Sequence, residues 1–91
     1  MDTTQALRRW EEIFEGLVNA GVRVHRDSER IAADIPWSAT VTGNRAGILY
    51  VEKMNPAGHD YRIFWQPVKS AHAMDITNLS VKALVRKIHS T

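Results

Sequence analysis

Two spacings of apolar residues divide this chain. Near the start, Leu7, Trp10, Ile13, Phe14, Leu17 and Val18 recur at three- and four-residue steps. Near the end, Val81, Leu84, Val85 and Ile88 do the same. Each set lies on one stripe of an α-helix, with polar residues such as Arg8, Glu11, Glu12 and Glu15, or Lys82, Arg86, Lys87 and His89, on the other side. Between these ends, short runs alternate apolar and polar residues or crowd β-branched and aromatic ones together, as strands do.

The spacing predicts a first helix over 3–20. Asp2 and Gln5 stand three apart, as a capping box requires, and Gly21 followed by Val22 suits a left-handed helix end with its hydrophobic contact. Ser80 is placed to cap the second helix, and Leu79 with Leu84 fits a hydrophobic staple.

The stretch 48–67, ILYVEKMNPAGHDYRIFWQP, reads as a hairpin around Asn55-Pro56-Ala57-Gly58. Register follows from matching faces. With Glu52 opposite Arg62, Val51 meets Ile63 and Leu49 meets Trp65; a one-residue slip would set Val51 against Arg62. The chosen register puts Tyr50 beside Phe64 on the face away from the first core layer. Whether the last helix covers that pair decides whether the face is structural or functional.

The stretch 22–36 reads as an earlier hairpin, with a loop over 27–30. Val22 would face Ile35, Val24 would face Ala33, Arg23 would meet Asp34, and Asp27 would meet Arg30. Residues 37–47, WSATVTGNRAG, are expected to be a loop, with 39–42 as the one run able to form a short edge strand; Arg45 is its candidate contact residue. Residues 71–76 read either as a fifth short strand or as an irregular crossing. The expected fold is therefore α+β: a two-layer α-β-β-β-β-α domain over 1–91, with an antiparallel meander of four strands, or five, and two amphipathic helices.

Composition narrows the chemistry. Twelve Lys and Arg against ten Asp and Glu leave a net charge of +2, which permits nucleic acid without arguing for it and counts against an acidic DNA mimic. The absence of cysteine removes disulfides, thiolate metal sites and a Cys nucleophile, and with no membrane-length apolar run it fits a cytoplasmic protein without a membrane role. His25, His59, His72 and His89 form no metal-ligand spacing, so neither metal nor cofactor is expected. No catalytic motif stands out. A ribonuclease-like site would have to be assembled from His25, Arg62 and Tyr61 without a linear pattern.

The residues favour a non-enzymatic binding protein. Tyr50 and Phe64 are the expected centre of the surface, with Arg62, Arg23, His25 and Arg45 around them. Exposed aromatics ringed by Arg and Glu have the make-up of interface hot spots. A protein partner is the first expectation. In a small protein of bacterial or phage type, this means an inhibitor or adaptor of a larger machine, anti-CRISPR-like inhibitors among the candidates. The alternatives are an RNA- or DNA-binding sheet face, on which the same aromatics stack bases, and a homodimer through that face.

Overall fold

The computed structural model describes residues 1–28, 37–43, 46–55, 58 and 60–90. Helix α1 (Thr3–Asn19) leads into strands β1 (Val24–Ser28), β2 (Ser38–Val41), β3 (Gly47–Lys53), β4 (Tyr61–Pro67) and β5 (Met74–Asp75), and helix α2 (Val81–His89) closes the order. The strands form one antiparallel meander in sequence order. The α+β fold with five strands and two helices matches the sequence expectation.

The helix ends follow from local chemistry. Gln5 N–H donates to Asp2 Oδ1 at 2.8 Å and Asp2 N–H donates to Gln5 Oε1 at 3.1 Å, so the capping box forms. At the other end Val22 N–H reaches the Leu17 carbonyl and Gly21 N–H reaches that of Val18, with Gly21 at φ 75°. This is the Schellman pattern, which needs a left-handed residue where Gly21 stands. Ser80 Oγ accepts from Ala83 N–H at 3.1 Å and starts α2.

Both helices lie on one face of the sheet. Ala6, Trp10, Ile13, Phe14 and Leu17 from α1, with Leu84 and Ile88 from α2, share one buried cluster with Ala39, Val41, Leu49, Val51, Ile63 and Trp65 from the strands. The helices touch closely at Gly16, where a Cβ would collide with the Val81 side chain. Val18, expected in the apolar stripe, is instead 64% exposed: it lies past the edge of the contact. Trp10, Trp37 and Trp65 bury indole N–H groups that have no hydrogen-bond partner among the described residues, at a cost of roughly 1–3 kcal/mol each.

Two sequence expectations need correction. Residues 38–41 form a strand rather than part of a loop, and they occupy an inner position between β1 and β3 rather than an edge. Ala39 and Val41 are fully buried, which holds the strand in place even though Ser and Thr separate them. β1 accordingly pairs with β2, Val24 opposite Val41 and Arg26 opposite Ala39, with an irregularity at Asp27. The expected partner strand 30–35, and with it the pairings to Ile35, Ala33, Asp34 and Arg30, lies outside the described residues. The central hairpin has the expected register: Glu52 opposite Arg62, Val51 opposite Ile63, Leu49 opposite Trp65.

Candidate functional site: the open face of the sheet

Strand alternation sends every second residue away from the helices. On that face lie His25 from β1, Thr40 and Ser38 from β2, Ile48, Tyr50 and Glu52 from β3, Arg62, Phe64 and Gln66 from β4, and Asp75 from β5. Among the described residues no helix covers it, because α2 joins α1 on the other side.

The centre is aromatic. Tyr50 and Phe64 face each other across β3 and β4, with ring centroids 5.3 Å apart and planes 22° from parallel. Both are half-buried. The pair is held by its cross-strand position and needs no third residue to orient it. On the other side of Tyr50, across β2, stands Ser38. A serine is small, so that ring face has no bulky cross-strand neighbour. Burial raises the Tyr50 hydroxyl pKa, and the nearby Glu52 carboxylate raises it further.

The two flanks of the pair differ. Beyond Phe64, Asp75 stands opposite it in β5 and accepts from Arg62 Nη1 at 3.1 Å. Burial alone would raise the Asp75 pKa. Hydrogen bonds from Thr77, including Thr77 N–H to Oδ1 at 2.9 Å, together with Arg62, outweigh it and hold the carboxyl below its ordinary value. That flank is charge-matched within the chain. On the β1 flank, Asp27 accepts from the Thr40 hydroxyl at 2.6 Å, and His25 Nε2 lies 3.7 Å from its other oxygen. The irregularity after Arg26 turns Asp27 to the His25 side.

Of the six residues expected from sequence, Tyr50, Phe64 and Arg62 come together. His25 shares their face, two residues up the strands and two strands across. Arg23 does not join them. It pairs through its carbonyl with Thr42 N–H, four residues from the Ser38 level, or about 13 Å along the strand. There it lines a shallow groove of about 250 Å³ with Val22, Val41, Ile88 and His89. Arg45 lies outside the described residues. Glu52, Asp27, Thr40 and Asp75 were missed. Glu52 was readable from its place two residues after Tyr50, whereas Asp27 and Asp75 required knowing that β2 and β5 are strands.

The hydrolytic trio does not assemble. His25 and Arg62 are three strands apart and four residues out of step along them, about 19 Å, and Tyr61 pairs with Lys53 at the other strand parity. Among the described residues no group of three or more His, Asp or Glu side chains could hold a metal ion. No described helix is long and apolar enough to cross a membrane. No protein-family model, curated protein or solved structure matches the chain.

Proposed function

We propose that this protein is a non-enzymatic binding protein that docks a larger protein partner on the open sheet face, as an inhibitor or adaptor of a bacterial machine would. The observation that carries the reading is the stacked Tyr50–Phe64 pair on a face from which both helices are absent. Interfaces draw most of their energy from a few central aromatic or Arg residues ringed by polar groups, and this face has that composition.

Charge favours one of the possible occupants. Among its described residues the face carries Asp27, Glu52 and Asp75 against Arg62 and, at its far end, Arg23, so the carboxylates around the aromatic pair outnumber the cations there. Nucleic acid would meet this face against its own phosphate charge. A two-fold homodimer through it would set like carboxylates near one another. A separate protein suffers neither penalty.

The test is a pull-down from a bacterial lysate with the wild-type protein, Tyr50→Ala and Phe64→Ala, each with and without nuclease, with circular dichroism checking the fold. A discrete partner that survives nuclease and is lost by both folded variants is the expected result. Loss of all partners after nuclease, or full retention by the variants, overturns it.

A further inference from the structure

The two flanks of the aromatic pair suggest what the partner brings. On the Phe64 side, the Arg62–Asp75 contact at 3.1 Å already matches a cation to a carboxylate. On the Tyr50 side, the cross-strand neighbour is only Ser38, and the next strand carries Asp27, whose described partners are the Thr40 hydroxyl and His25. Glu52 is exposed and stands two residues after Tyr50 on the same face of β3, about 7 Å along the strand, opposite an Arg62 that already bonds Asp75. An aromatic face with a small neighbour and carboxylates on two sides suits a planar cation. Guanidinium stacks on aromatic rings and sheds water more readily than ammonium does.

We infer that the partner inserts an arginine side chain over Ser38, stacked on Tyr50 and neutralised by Glu52 and Asp27. This rests on the reading of the open face as a docking surface, and it names the chemistry of the occupant. The arginine side chain uses the β1 flank of the pair, while Phe64 and the Arg62–Asp75 contact lie on its other flank. The same geometry disfavours an acidic segment, which would meet Glu52 and Asp27 with like charge.

Nuclear magnetic resonance titration tests this with defined probes: acetylated, amidated hexa-arginine, hexa-lysine and hexa-glutamate peptides, and a dodecathymidine strand. Hexa-arginine is expected to shift the amides of Ser38, Tyr50 and Glu52 first, and to bind a few-fold more tightly than hexa-lysine. Hexa-glutamate and the oligonucleotide are expected to leave those amides in place. Glu52→Gln and Asp27→Asn should each weaken hexa-arginine about three- to tenfold, and Glu52→Lys more, with the fold intact by circular dichroism. Shifts that centre on Glu11, Glu12 and Glu15 of α1, equal affinity for the lysine peptide, or binding of the oligonucleotide at Tyr50 overturn the inference. The pull-down separates the two levels. If Tyr50→Ala loses the partner but Glu52→Gln and Asp27→Asn keep it, docking stands and the arginine falls. If Tyr50→Ala keeps it, both fall.

Discussion

The two faces of the sheet are cut from the same strands, residue by residue. In β3, Leu49 and Val51 are buried while Ile48 and Glu52 are exposed and Tyr50 lies between. In β4, Ile63 and Trp65 are buried while Arg62, Phe64 and Gln66 are half-buried. The helix-covered face is saturated: its side chains fill a core that also holds seven residues of α1 and α2. The other face pairs its charges and stacks its two rings, yet it leaves apolar area in contact with water. Packing against α1 and α2 makes the first face intolerant of change. On the second, half-buried and exposed side chains pack less tightly, so substitutions there are expected to cost less stability.

The comparison breaks most visibly on the covered face. Trp65→Ala should cost about 3–5 kcal/mol, lowering the melting temperature by roughly 15 °C or more, as read by calorimetry. A smaller change than that would mean the face is less tightly packed than its burial implies.

A finer test lies where the helices meet. Alanine at Gly16 should raise helix propensity by about 1 kcal/mol, but its methyl would collide with Val81, a branched side chain with little freedom to move. We expect Gly16→Ala to destabilise by about 1–2 kcal/mol alone and to be neutral or stabilising beside Val81→Ala. Urea melts of the four proteins measure this sign change. If Gly16→Ala stabilises in both backgrounds, the helices do not pack as closely as described.

On the open face, Tyr50→Ala or Phe64→Ala should cost only about 1 kcal/mol of stability while abolishing partner capture. A large loss of stability would make this pair a second core layer and erase the distinction between the faces.

The smallest effect is a pH dependence. Asp75 has a lowered folded-state pKa, so the stability it contributes is present above its unfolded pKa and is lost as pH falls through the folded one. Asp60 titrates in the same direction because the Met1 ammonium donates to it at 2.8 Å. Asp75→Asn should therefore flatten part of the acid-side slope of the urea midpoint between about pH 5 and pH 2 and leave the Asp60 share. An unchanged slope would mean that the Thr77 hydrogen bonds and the Arg62 contact do not hold the Asp75 carboxylate in solution.

Much of the fold was legible because local patterns and tertiary packing agreed. Asp2 with Gln5, Gly21 with Val22, and Ser80 each specify a helix end within a few residues. The 48–67 hairpin fixes its own register because only one alignment matches Leu49 with Trp65 and Glu52 with Arg62. Residues 38–41 were less legible. Ser38 and Thr40 resemble loop residues, and the strand depends on Ala39 and Val41 being buried beneath helices distant in sequence. β5 has two residues, too few to show a period.

The site divides in the same way. Sequence alone determined that Tyr50 and Phe64 share a face, because strand alternation and register are local. It also determined that Arg62 is beside them. Tertiary structure alone decided that α2 sits with α1, so that neither helix covers the pair. It also placed Arg23 at the far end of the sheet and set Asp27 and Asp75 on the same face as the aromatic pair. The reason is physical. Periodicity states which residues share a side of an element, but which elements cover that side depends on contacts between segments far apart in the chain. Here these are Gly16 against Val81, and Leu84 and Ile88 in the core of α1.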